Sequence, residues 1–350
     1  MNRYGLWSAI LTISIAVLIS YNLPVIRDQL SSAKAFISNR TITEITQISS
    51  HIDTEHTLQP TENMAKQALR HAKIAPHRSG SRGHADHGWL NTFHTFPFGQ
   101  WYSGKAPTQF GALRVLNEDR VKAQSGFPTH PHSNFEIFSY IISGELTHRD
   151  SVVPKGKEGA QSNSFYRMRR GDVQFTTGGT GIAHSETNEH KSDTVHFLQI
   201  WVLPWMKGLT PQYHTKHFDD ADKRKDFVTI LSPLKAGIGA TDAQEEAAEP
   251  AIAGSIPIHS DFVMGAGLIA PNSTFEWTVG SNATTQTKRK VYVHLPMTKN
   301  GAARIRLDGR EDAELAEGDG AFVDVVAAGD KLSVESIGDA EAEVVILDTA

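Results

Sequence analysis

Two short segments of this chain carry residue types that suit metal chemistry: His130-Pro131-His132 and, about 50 residues later, His184-Ser185-Glu186. Alternate residues of an extended strand point to the same side. Each segment therefore aims two side chains at one point. Three imidazoles and one carboxylate form a mixed nitrogen–oxygen set suited to one divalent first-row ion: Fe(II), Ni, Cu, Mn or Zn. Four protein ligands on an octahedral ion leave two positions for a chelating substrate, or for substrate and dioxygen. Glu186 is both the carboxylate ligand expected here and the group placed to take a proton from such a substrate.

The chain has 17 histidines, so a single His-x-His pair carries little weight. Two strand-spaced pairs that both follow glycine turns carry more. Gly126 precedes the first, and Gly178-Gly179-Thr180-Gly181 precedes the second. Glycine allows the sharp backbone turns that deliver a strand to a site. Glu136, four residues after His132, is a second candidate carboxylate that strand parity alone does not exclude. His259 and His294 stand alone on their segments and read as structural. His148-Arg149-Asp150 reads as a structural motif, and His84, His87 and His94 read as exposed or core-satisfying groups.

The elements around these residues read as β almost throughout. Residues 135–142 and 195–202 are aromatic and β-branched runs that end at Ser143-Gly144 and at Leu203-Pro204. Residues 93–98 and 112–116 read as earlier strands, the latter ended by Asn117-Glu118-Asp119. A second β block starts near Tyr213, with strands at 227–231, 264–269, 291–295, 303–307 and 344–347. Its Glu317-Gly318-Asp319-Gly320 stands where Arg170-Gly171-Asp172-Val173 stands in the first block. The pattern predicts a duplicated all-β barrel with the metal site in the first copy only. The expected divisions are residues 1–63, 64–212 and 213–350.

The net charge of −5, without a basic run, argues against a nucleic-acid partner. The absence of cysteine excludes disulfides, a thiolate nucleophile and sulfur-ligated metal. Residues 6–26 carry no charged side chain and have about the ~20-residue length that spans a bilayer. They predict an apolar helix that anchors the protein in a membrane when translation starts at Met1. A start at Met64 would give a cytoplasmic protein.

The chain closely resembles the pirin family of the cupin superfamily, and within it the bacterial quercetinase-like members. The likeness runs from about Arg82 to the C-terminus. It is carried by residues 83–90, 116–119, 126–132, 144–151, 171–174, 181–186 and 197–201. The resemblance implies a bicupin, with two jelly-roll (double-stranded β-helix) barrels packed face to face. It also implies an iron-type metal held by the residues matching His130, His132, His184 and Glu186. The implied activity is cleavage of a flavonol such as quercetin by dioxygen. The implied alternative is a metal-binding, redox-responsive regulator that acts through a protein partner.

Overall fold

The computed structural model describes residues 69–97, 107–152, 167–281 and 288–350. The apolar segment at 6–26 lies outside the described residues, and no described helix is long and apolar enough to cross a membrane. The described chain is nearly all β, arranged as two seven-stranded and two four-stranded sheets.

Each barrel is one large sheet facing one small one. The first large sheet is centred on Glu136–Ser143, Val195–Val202 and Leu113–Val121. Its small partner contains Ser125–His132, Ile182–Asn188 and Glu145–Asp150. The second large sheet is centred on Lys288–His294, Ala342–Thr349 and Phe262–Ile269. It is faced by Thr274–Thr278, Lys331–Ser336 and Arg304–Leu307. Strands in the large sheets are buried on both faces, which explains why residues 135–142 and 195–202 read as unbroken apolar runs rather than alternating ones. One face fills its own barrel. The other meets the opposite large sheet in a shared core of Leu116, Phe138, Phe175, Ile200, Met264 and Leu347.

The duplication extends to the turns. Gly171 and Gly318 both adopt positive φ, at 86° and 85°. Asp172 Oδ2 accepts the Arg169 backbone N–H at 2.9 Å, and Asp319 Oδ2 accepts that of Ala316 at 3.1 Å. Each aspartate thereby closes the tight turn that feeds a strand of its barrel, Asp172–Thr177 or Gly320–Ala327.

Three expectations change. The strand expected at 93–98 is Leu90–His94. Its hairpin is set by Gly88, at φ 82°, whose N–H is accepted by Asp86 Oδ1 at 2.8 Å. The strand expected to end at Asn117-Glu118-Asp119 runs through them to Val121. Polar residues continue a strand when both sheet faces supply partners, and Glu118 has several. Finally, the sheets do not divide at residue 213. Gln212–His217 pairs with Asp172–Thr177 in the first barrel, and Lys73–His77 pairs with Gly320–Ala327 in the second. Each block thus lends an edge strand to the other, covering an edge that would otherwise be open.

Candidate metal centre

The two histidine segments lie side by side. Ser125–His132 and Ile182–Asn188 are antiparallel neighbours, with His184 directly opposite His130 and Ile182 opposite His132. The register slips between His184 and Glu186, so that Ser185 faces both Pro128 and Thr129. Proline has no N–H to give to the ladder, and a bulge is where a strand accommodates it. The bulge has a second use. The Pro128 carbonyl accepts a hydrogen bond at 2.7 Å from His130 Nδ1, leaving Nε2 to face inward.

His130, His132 and His184 form one cluster whose ligand nitrogens lie within 4.8 Å of one another. Their ring centroids are 4.6–4.7 Å apart. The Nε2 atoms of His184 and His130 are 3.1 Å apart, and His132 Nε2 is buried without a hydrogen-bond partner. An orphaned buried imidazole nitrogen is costly unless something fills its place. Burial, reinforced by the neighbouring imidazoles, lowers His184 to about 2 and His132 to about 4. Both rings are therefore neutral near pH 7, the form that binds a metal. The donor set and its protonation state fit a divalent ion.

Glu186 faces the same interior but stands outside this three-histidine cluster. Its carboxylate accepts Ser139 Oγ at 2.9 Å and Gln199 Nε2 at 2.6 Å, both from the large sheet. Burial pushes its carboxyl above the usual value, opposed by those two hydrogen bonds. Glu136 is committed elsewhere. It accepts Thr177 Oγ1 at 3.0 Å and lies 3.4 Å from His259 Nδ1. His259 is buried, with Nε2 2.7 Å from Glu245 Oε2. It is thus structural, as its isolation suggested. His84 is exposed and stacks on Phe93 at 4.3 Å.

His148, read from sequence only as part of a structural motif, is buried beside the histidine cluster, with Nε2 2.8 Å from His184 Nδ1. Three other neighbours were not singled out from sequence. Ser139 and Gln199 position Glu186, and Trp201 packs edge-on against His132 at 4.8 Å. One signal was available for His148. His148-x-Asp150 has the same alternate spacing as the two metal-site segments, and Asp150 lies opposite His184.

The second barrel fills the comparable volume differently. Its interior is an apolar cluster including Trp277, Val291, Leu332, Val334 and Ile346. Trp277 lies so close to Gly265 that a Cβ there would fall 2.3 Å from the indole ring. Among the described residues, both groupings with metal-ligand geometry lie in the first barrel.

Asp119 is also buried, with Oδ1 unpartnered. Burial, then the Glu186 and Glu118 carboxylates, raise it to about 7. Between the ordinary aspartate value and 7, the folded state holds a proton that the unfolded chain has released. Folding stability therefore falls as pH rises through that window and stays reduced above it. Asp119→Asn is expected to melt higher than wild type at pH 8, with the difference closing toward pH 4. Thermal melts across that range test this. A pH-independent difference would show that Asp119 is already ionised at low pH.

Residues 76–202 match the Pirin family. The chain is 36% identical over 184 residues to quercetin 2,3-dioxygenase of Escherichia coli, covering 53% of this chain and 67% of that protein. It is 36% identical over 193 residues to a pirin-like protein of Caulobacter vibrioides, covering 55% and 72%. Among solved structures, it is similar to the bacterial pirin YhhW from Escherichia coli in complex with nickel(II). That likeness has a TM-score of 0.60 and 26% identity, and covers 79% of this chain and 99% of that one.

Proposed function

The chain belongs to the pirin family, and from that premise we propose that it is a metal-dependent dioxygenase that cleaves flavonols such as quercetin. The observation that carries this reading is the convergence of three histidines, two of them held neutral by burial, at one point of a barrel interior. His130, His132 and His184 hold the ion, with Glu186 as the fourth ligand from the same strand as His184. Fe(II) is the first choice, and Ni, Cu, Mn and Zn suit the same donors. When bound, the ion supplies Lewis acidity that lowers the pKa of a chelating 3-hydroxyl.

The protein's own groups do the rest. Glu186, its proton affinity raised by burial, receives the hydroxyl proton. Ser139 and Gln199 keep its carboxylate in place. Trp201, with Phe135 at 5.4 Å and His132 at 4.8 Å, forms an aromatic wall beside the histidines that suits a flat polyphenol. The flavonol takes up both atoms of dioxygen and loses the ring carbon bearing the 3-hydroxyl as carbon monoxide. Residues 6–26 would tether this activity to a membrane, a placement supported by their apolar length alone.

The test is oxygen uptake and carbon monoxide release by the Fe(II)-loaded protein with quercetin and with its 3-deoxy analogue. Quercetin should turn over and the analogue, lacking the ionisable chelating group, should not. Glu186→Gln should lower kcat at least ~100-fold, within the range for a positioned acid–base group. Glu136→Gln should leave turnover nearly unchanged, because that carboxylate serves His259 and Thr177. A metal-replete protein that consumed no oxygen with any flavonol would favour the regulatory reading.

A further inference from the structure

We propose that His148 is the positioning residue of the metal centre, its Nε2 holding the His184 ring in the tautomer and orientation that turn His184 Nε2 toward His130 and His132. The inference rests on the assignment of those three histidines as ligands.

Both nitrogens of His184 are spoken for. Nε2 lies 3.1 Å from His130 Nε2, and Nδ1 lies 2.8 Å from His148 Nε2. A neutral imidazole carries one proton. For Nε2 to offer its lone pair to an ion, that proton must sit on Nδ1, and a buried Nδ1–H needs an acceptor. His148 Nε2 is that acceptor when the His148 proton is on Nδ1, a buried atom with no hydrogen-bond partner of its own, so ion binding at His184 Nε2 must offset the cost of that unpaired N–H. His130 is treated in parallel, since its remote nitrogen donates to the Pro128 carbonyl. The two facing ligands thus have their outward nitrogens fixed, one by backbone and one by a side chain.

His148 is itself held. It sits on Glu145–Asp150 directly opposite Glu186. Its ring stacks on Tyr213, centroids 5.5 Å apart with planes 26° from parallel. Tyr213 belongs to Gln212–His217, the edge strand joined to Asp172–Thr177. Asp150, on the same face, is anchored by the Val152 N–H at 2.9 Å and by Thr176 Oγ1 at 3.1 Å. The support therefore reaches the site from strands remote in sequence. His148, Asp150 and His184 also lie close enough together to ligate an ion of their own. The experiment must separate a supporting His148 from a ligating one.

The full-length protein, stripped of metal, is titrated with Co(II) and followed by affinity and by visible absorption of the bound ion. Wild type should bind one ion. His148→Leu should bind one ion ~10–100-fold more weakly, the loss usual for a supporting residue, with shifted absorption bands. His148→Phe, which keeps a ring against Tyr213, should behave like His148→Leu. His148→Gln, whose amide oxygen can accept where Nε2 did, should recover affinity to within a few-fold of wild type. Wild-type affinity in both His148→Leu and His148→Phe would overturn the inference. So would failure of His148→Gln to recover affinity when it is folded by circular dichroism. Two ions in wild type with one lost in His148→Leu would make His148 a ligand instead. A wild-type protein that bound no Co(II) would remove the metal centre and this inference with it.

Discussion

Alanine at His132 is expected to leave a folded β protein that no longer holds metal tightly. His132 Nε2 makes no hydrogen bond, so truncation strands no protein partner of that atom. What the fold loses is one partly exposed ring packed against Trp201. What the metal loses is one of its three clustered nitrogen donors. The affinity loss should exceed the ~10–100-fold typical of supporting residues. His130→Ala should match it for metal. Metal content after purification, read beside far-ultraviolet circular dichroism, checks both points. Full occupancy in a folded His132→Ala protein would refute the assignment of the centre.

A second large effect lies away from the metal. Glu118 is fully buried where the two large sheets meet. It accepts Arg82 Nη1 at 3.1 Å, His196 Nε2 at 2.9 Å and the Met297 N–H at 2.8 Å, with His294 Nε2 at 3.3 Å. Burial alone would raise its pKa, but hydrogen bonds from His196 and His294 overcome this and hold it well below the usual carboxylate range. Glu118→Ala leaves the fully buried Arg82 guanidinium without its carboxylate. Removing one partner of a buried ion pair costs about 3–5 kcal/mol. For a chain of this size that corresponds to a melting temperature lower by roughly 10 °C. Glu118→Gln, which keeps an acceptor, should lose less. Thermal and urea unfolding measure both, and a loss of under ~1 kcal/mol in Glu118→Ala would contradict a structural hub at Glu118.

Such a hub explains why residues 117–119 look, in sequence alone, like the end of a strand. Polar residues in a row look like the end of a strand when only their neighbours in sequence are considered. Glu118 is satisfied by residues up to 179 positions away, and nothing local announces them. The same holds for Gln212–His217. Its polar character reads as the start of a new block, and only pairing with Asp172–Thr177 places it in the first barrel.

What the sequence determined by itself is what a strand's two-residue period encodes. That period gathers His130 with His132 and puts His184 and Glu186 on one side of their own strand, whatever the rest of the chain does. It likewise marks the long apolar runs of the large sheets and the matched Gly-Asp turns. Tertiary structure decided which faces meet. It set His184 opposite His130, turned Glu136 to His259, and gave Glu186 to Ser139 and Gln199. It also brought His148 within 2.8 Å of His184. Side-chain parity is a property of the local backbone. The partner across a barrel depends on register, bulges and sheet packing, which no short stretch of sequence contains.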